Sequence, residues 1–287
     1  MTQNCLSAAT LYVVATPIGN VADMSSRAVG VLREVDCVAA EDTRVTRHLL
    51  DVHGLQTRLI ALHEHNEERA AQSVIQMLSQ GKRVALVSDA GTPGISDPGS
   101  RVVRLVREAG FVVSPVPGAN AAAAAISISG FACPHFLFYG FLPARQSARR
   151  QALEGLAPLL YSVVFYEAPH RIIDCVSDLV AVMGAERRIL IARELTKLFE
   201  QTWCGPLSQA LAWFAEDAHR SKGEFVLVVE AAPEPQGPDP ISPEAEKTLG
   251  ILLEALPLKQ AVALTVSITG THRNVLYERA LSLKQVI

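Results

Sequence analysis

A chain of 287 residues corresponds to about two domains at roughly 150 residues each, and 49% hydrophobic against 19% charged residues is the balance of a globular fold with a sizeable core. With 26 Lys and Arg against 29 Asp and Glu the net charge is −3, which excludes an overall basic footprint for nucleic acid or an anionic membrane and leaves any RNA contact to a local patch. The lack of an 18-residue uncharged apolar run argues against a membrane span.

Through the first 130 residues, apolar runs of strand length alternate with amphipathic stretches of helix length, which predicts an α/β layered domain with a mainly parallel sheet. The strands expected are Leu11–Ala15, Cys37–Ala40, Arg58–Leu62, Val84–Ser88 and Val112–Val116. Asp23 is positioned to cap a helix that puts Ala28, Val31, Leu32 and Val35 on one face. Asn66 is positioned to cap another that begins Glu67-Glu68 and stops at Gly81. A further helix runs from about Pro98 to Ala109, before Gly110. A second αβ block, residues 131–232, opens with a strand at Phe136–Leu142 that leads into a basic loop, Arg145 to Arg150. Ser162–Tyr166, Arg188–Ala192 and Phe225–Val229 read as its later strands. Between Pro233 and Pro243 five of eleven residues are proline, which predicts an extended linker. Residues 244–287 then read as three short helices broken by Pro257 and Gly270.

Met1–Thr10 has neither the basic nor the apolar region of a secretion signal. Cys5, Cys37, Cys133, Cys175 and Cys204 lie 29 or more residues apart without metal-ligand spacing. They read as buried thiols, and the expected location is the cytoplasm.

Ligands of parallel sheets bind beyond the carboxyl ends of the strands, where helix N-termini and free backbone N–H groups converge. Three loops there stand out. Ala15-Thr-Pro-Ile-Gly-Asn20 follows the first strand and is not a dinucleotide fingerprint. Ser88-Asp-Ala-Gly-Thr-Pro-Gly-Ile-Ser-Asp-Pro-Gly99 carries three glycines and two prolines in twelve residues, so its backbone can approach a ligand closely, with Asp89 and Thr92 as polar contacts. The alternative is a rigid structural turn. Pro117-Gly-Ala-Asn-Ala121 opens an alanine-rich helix, which suits either a flat ligand or close helix packing. Glu41-Asp-Thr-Arg44 ends a strand as a helix cap or a substrate-holding pair of carboxylates. His63-Glu-His65 lacks a third metal ligand at fitting spacing, so no metal is expected. Phe165-Tyr-Glu-Ala-Pro-His-Arg171 and Arg193-Glu-Leu-Thr-Lys197 gather charge at the ends of later strands.

In their order these motifs, with Gly223-Glu224 and Leu256-Pro-Leu-Lys-Gln260, resemble the ribosomal RNA methyltransferases of the tetrapyrrole methylase superfamily over nearly the whole chain. The resemblance implies two αβα domains with S-adenosylmethionine in the cleft between them, followed by a small helical domain. It also implies methylation of the ribose 2′-hydroxyl of a cytidine in the decoding region of 16S rRNA, by a homodimer acting on the small ribosomal subunit. The family pattern places cofactor contacts at Pro17, Ile18, Thr92, Ile95, Asn120 and Ala121 and near Tyr166 and Arg193. Asn120 and Ala168 stand where serine is common. With Ser88, Asp89 and Gly91 of the glycine-rich loop these form the candidate cofactor set.

Methyl transfer to a hydroxyl needs a near-linear approach and a base within hydrogen-bond reach. The base candidates are Glu41, Asp42, His63, Glu167 and Lys197. A carboxylate such as Glu194 would raise the Lys197 pKa, which favours positioning roles for Lys197 and Arg44 and leaves Glu41, Asp42 and Glu167 as bases. RNA is expected on Arg145, Arg149 and Arg150 and on the tail with Lys259, Arg273 and Lys284. Two alternatives remain, a small-molecule tetrapyrrole methylase and a non-catalytic RNA-binding assembly factor. The C-terminal extension counts against the first and the net charge against the second.

Overall fold

Five short strands, β1 (Thr10–Val14), β2 (Cys37–Ala40), β3 (Leu59–Ala61), β4 (Val84–Val87) and β5 (Val112–Val116), pair in parallel in the order β3-β2-β4-β1-β5. This is a computed structural model, and it describes residues 6–63, 66–132, 135–233 and 241–284. The segments outside these include Cys5, His65, Cys133 and most of the proline-rich linker. By contact the chain separates into two units, Met1–Ala232 and Pro233–Ile287. No described helix is long and apolar enough to cross a membrane.

Side chains of the parallel strands alternate between two apolar layers, as a sheet covered on both faces requires. Tyr12, Val14, Val38, Ala40, Ala85 and Val87 pack under α1 (Ser26–Glu34) and α2 (Thr43–Val52). Leu11, Ala39, Val84 and Leu86 face α3 (Glu67–Ser79) and α4 (Ser100–Glu108). Two expected caps are corrected. Ser25, not Asp23, caps α1, its Oγ accepting the Ala28 N–H. Asn66 precedes α3 but turns its side chain backward, accepting from His63 N–H and donating to the Ala61 carbonyl.

The second sheet contains β6 (Phe136–Phe141), β7 (Ser162–Glu167), β8 (Arg188–Arg193), β9 (Gln201–Pro206) and β10 (Phe225–Val229), in the order β6-β7-β10-β8-β9. Only β6 and β7 are parallel; β10 runs antiparallel to both its neighbours, and β9 to β8. Val163, Phe165, Ile189, Ile191 and Leu227 form one layer beneath α6 (Gln146–Leu156), α7 (Ile172–Met183) and α8 (Leu207–Ala215). On the opposite face Val164, Leu190, Ala192, Val226 and Val228 receive α5 (Ala121–Ile128) through the buried Ala122 and Ala125. Close packing is therefore what most of that helix's small residues do. Cys37 and Cys175 are buried, but Cys204 is exposed on β9, contrary to the expectation of buried thiols.

The basic loop expected at Arg145–Arg150 is the first turn of α6. Arg149 is buried and cannot meet RNA: its guanidinium lies 2.6 Å from Asp178, whose side chain is 0% exposed. Burial would raise the Asp178 pKa, but hydrogen bonds from Arg150, Arg149 and Gln146 outweigh it and hold the carboxyl below its ordinary value. Arg150, 47% exposed, remains at the surface.

The second unit is three helices, α9 (Pro243–Ala255), α10 (Leu258–Thr269) and α11 (Arg273–Lys284). Ser242 caps α9, Pro257 precedes α10, and Gly270 ends α10 at φ +70°. Ala245, Leu249, Val262, Leu276 and Ala280 make its core.

Removing one partner of a buried ion pair leaves an uncompensated charge, so Asp178→Ala is expected to lower unfolding free energy by about 3–5 kcal/mol. Arg150→Ala, which removes a partly exposed partner, should cost less than about 1 kcal/mol. Urea unfolding of the two variants checks both values.

Candidate functional site

Because β1 lies between β4 and β5, and β2 flanks β4, the loops leaving β2, β4, β1 and β5 are neighbours at one end of the first sheet. The loops after β1 and β4 are joined by a two-way bridge: Thr16 N–H donates to the Gly91 carbonyl at 2.8 Å, and Gly91 N–H donates to that of Thr16 at 3.1 Å. Thr16 Oγ1 also donates to the Ser88 carbonyl at 3.1 Å. Gly91 sits at φ +78°, the left-handed region that disfavours side chains. Thr92 Oγ1 ties this loop to the next by donating to the Ala119 carbonyl at 3.1 Å. Asn120 caps α5 by accepting the Ala123 N–H, and the Tyr166 hydroxyl accepts the Ala122 N–H at 3.2 Å from the second sheet.

These loops and the second sheet enclose a cavity of about 360 Å³, within the range of small-molecule sites. Of the candidate cofactor contacts, Ile18, Asp89, Gly91, Thr92 and Ile95 line it from the first two loops, and Asn120, Ala121 and Tyr166 from the α5 side. Glu41, Glu167 and Lys197 line it as well. Pro17, Ser88, Asp42, Arg44 and Arg193 do not. Ser88 is buried beneath the loop, its single hydroxyl proton shared between the Ala90 carbonyl and Asp97. Arg193 is buried and donates to the backbone carbonyls of Lys222 and Phe199 and to Gln201, so its role is to hold the turns around it. Asp42 is the N-cap of α2 and pairs with Arg44, whose side chain is 90% exposed; this ion pair holds the Asp42 carboxyl down to about 2.

Carboxylates dominate one wall, and backbone N–H groups fix two of them. Asp42 N–H donates to Asp89 Oδ1 at 2.9 Å, and Asp89 N–H donates to Glu41 Oε2 at 3.3 Å, locking the ends of β2 and β4 together. Burial raises the Glu41 pKa despite that hydrogen bond. The wall also holds Asp97, a residue that sequence reasoning passed over. Burial, then repulsion from Glu41, pushes its carboxyl up to about 6.

On the other side the charges are paired. Glu167 is buried, 3.1 Å from the Arg171 guanidinium, and accepts the Ala168 N–H. Lys197 Nζ lies 3.0 Å from both Glu194 and Glu224. Burial alone would lower the Lys197 pKa, but these carboxylates outweigh it and raise it, so Lys197 is a fixed cation. Its loop is seated by Gly19, where any Cβ would collide with Lys197 Cγ, and by Glu194 and Thr196 at φ +52° and +65°.

The family model of tetrapyrrole (corrin/porphyrin) methylases matches residues 10–211, from β1 into α8, and that of the RsmI C-terminal HTH domain matches residues 239–284. Ribosomal RNA small subunit methyltransferase I of Haemophilus influenzae is 46% identical over 272 residues, 95% of this chain and 96% of that protein. The protein of the same name from Pseudomonas aeruginosa is 47% identical, covering 96% and 98% of the two chains. Among solved structures, cobalt precorrin-4 methyltransferase shares the fold with a TM-score of 0.60 at 14% identity, over 77% of this chain and 95% of that one. The chain therefore belongs to the tetrapyrrole methylases and, within them, to the family of ribosomal RNA small subunit methyltransferase I.

Asp97 gives a pH signature in stability. Its raised pKa means the folded state binds the proton more tightly than the unfolded chain does. That stabilisation is complete below the ordinary value of 3.8 and lost as pH rises through about 6. Asp97→Asn is expected to gain stability relative to wild type at about pH 8 compared with about pH 5, measured by urea unfolding at both.

Proposed function

We propose that this protein transfers the methyl group of S-adenosylmethionine to the ribose 2′-hydroxyl of a cytidine in the decoding region of 16S rRNA, working as a homodimer on the small ribosomal subunit in the cytoplasm. The observation that carries the reading is the charge pattern of the cavity. Glu41 and Asp89, without an ion pair among the described residues, stand on one wall and the fixed cation Lys197 on another, with apolar surface from Ile18, Ile95 and Ala121. A ligand bearing a sulfonium and an ammonium group gains from the carboxylates, and its own carboxylate gains from the cation.

The residues fit such a cofactor. Gly91 leaves room against Ile18, where a Cβ would come within 3.5 Å of the Ile18 methyl. Asp89, Thr92, Asn120 and Tyr166 place polar groups around the same space. When bound, the cofactor supplies a methyl group on positively charged sulfur. The protein's part is to orient that methyl toward the acceptor, keep water from it and take up the hydroxyl proton. Asp42 and Glu167 are committed to Arg44 and Arg171, and Lys197 is protonated, so of the original base candidates in the cavity Glu41 is the one left without a cation among the described residues. Arg44 and Lys197 serve as positioning cations.

RNA is met by Arg145 and Arg150 of the first unit, without Arg149, and separately by the three-helix tail with Lys259 and Arg273. The tail carries five Lys and Arg against four Asp and Glu, a balance that needs local clustering to attract phosphate.

Incubation with methyl-labelled cofactor and either small subunits or bare rRNA tests the reaction; label in an alkali-resistant dinucleotide containing cytidine is expected. Gly91→Val introduces a branched side chain at positive φ beside the cavity. It is expected to weaken S-adenosylmethionine binding at least tenfold, about 1.4 kcal/mol, by calorimetry. Lys259→Glu with Arg273→Glu should weaken small-subunit binding and flatten its salt dependence while leaving cofactor affinity unchanged.

A further inference from the structure

Asp97 is held in place by two departures from ordinary backbone geometry, contributed by different sheets. The residue before it, Ser96, sits at φ +60°, a conformation non-glycine residues adopt at a cost. Opposite, β6 breaks register with β7 between Phe138 and Gly140, and Gly140 takes φ +81°. A Cβ on Gly140 would lie 3.0 Å from Ser96 Oγ, so the bulge leaves space for the Ser96 turn. On the far side of the turn, Gly94 N–H donates to the Pro98 carbonyl, and Gly99 N–H donates to Glu67 Oε1 at 2.6 Å. These contacts fix the turn and present Asp97 to the cavity between the ends of β2 and β7.

The other carboxylates there are engaged. Glu41 and Asp89 accept the N–H groups that lock the loops, Glu167 is neutralised by Arg171, and Glu194 and Glu224 by Lys197. Asp97 makes no ion pair among the described residues, and its side-chain hydrogen-bond partner is Ser88. We propose that Asp97, rather than Glu41, accepts the proton of the attacking ribose hydroxyl, a role that rests on the rRNA 2′-O-methylation reading above. The ribose oxygen forms its bond to the methyl carbon while the carbon–sulfur pair returns to sulfur, leaving a neutral thioether. The hydroxyl proton passes to the Asp97 carboxylate and then to water.

The groups facing Asp97 tune it for this. Glu41 from β2 and Asp89 from β4 repel its charge, the Tyr166 hydroxyl from β7 stays protonated because burial raises its pKa, and Ser88 hydrogen-bonds the ionised form. With its pKa near 6 the carboxylate is ionised at neutral pH yet more basic than an ordinary aspartate.

The test compares wild type, Asp97→Asn and Glu41→Gln in single-turnover methyl transfer to small subunits across pH. Calorimetry of S-adenosylmethionine binding and thermal unfolding of each variant accompany it. Asp97→Asn is expected to fold, to bind the cofactor within about threefold of wild type and to lose at least about 100-fold in transfer rate. The rise of the wild-type rate with pH below about 6 should be absent in Asp97→Asn and kept in Glu41→Gln, moved to lower pH by the loss of Glu41's repulsion. A folded Asp97→Asn that transfers within a few-fold of wild type, or keeps the same acid limb, overturns the proposal. Cofactor affinity falling in proportion to rate would also overturn it, by making Asp97 a cofactor contact. A wild type that labels small subunits elsewhere than on ribose fails the underlying reading and this proposal with it; ribose labelling with an unimpaired variant fails this proposal alone.

Discussion

The two-way backbone bridge between Thr16 and Gly91 decides where the cavity lies. It holds the loop after β1 against the glycine-rich loop after β4, and it exists because the chain places β1 beside β4 although two other strands of the sheet, β2 and β3, intervene in sequence. Once those loops are joined, Thr92 fastens the second to the α5 entry, and α5 carries the arrangement to the second sheet through Ala122, Ala125 and the Tyr166 hydroxyl. Bulkier residues at the two alanines would hold the sheets apart; the small side chains let the cavity form between them at the size of a single cofactor.

Electrostatics then divides the cavity into structural and chemical carboxylates. A carboxylate that accepts several hydrogen bonds or faces a guanidinium is held ionised and is a poor proton acceptor; one that is half-buried among like charges is not. Asp42, just outside the cavity, belongs to the first class because Arg44 sits against it, and within the cavity Glu167 is paired with the Arg171 guanidinium. Glu41 and Asp97 belong to the second, and their repulsion is a cost the fold bears at this one place.

Much of this was legible in the sequence because it is local. Strand runs, the glycine-rich loop and the breaks at Pro257 and Gly270 follow from periodicity and backbone preference, and β2, β5 and β10 fall on the residues expected. What was not legible depends on neighbours far along the chain. β9 lacks an apolar alternation because it is an edge strand with Thr202 and Cys204 exposed, so nothing in Gln-Thr-Trp-Cys-Gly-Pro marks it. Arg149 and Arg193 look like surface cations until Asp178 and the carbonyls of Lys222 and Phe199 arrive from distant segments. Asp97 reads as an ordinary turn residue, since its environment is set by Glu41, 56 positions earlier, and by the bulge at Gly140.

The same charge pattern constrains how an RNA acceptor meets this site. Three carboxylates on one wall repel a phosphodiester backbone, so phosphates are disfavoured inside the cavity, whereas a neutral ribose hydroxyl carries no such penalty. On the proposed 2′-O-methylation reading an acceptor nucleotide enters sugar first, with its flanking phosphates left outside the cavity. This explains how a chain of net charge −3 can act on a polyanion. The acidic wall suits a cationic cofactor, and on that reading phosphate is held by local cations outside the cavity rather than by the net charge.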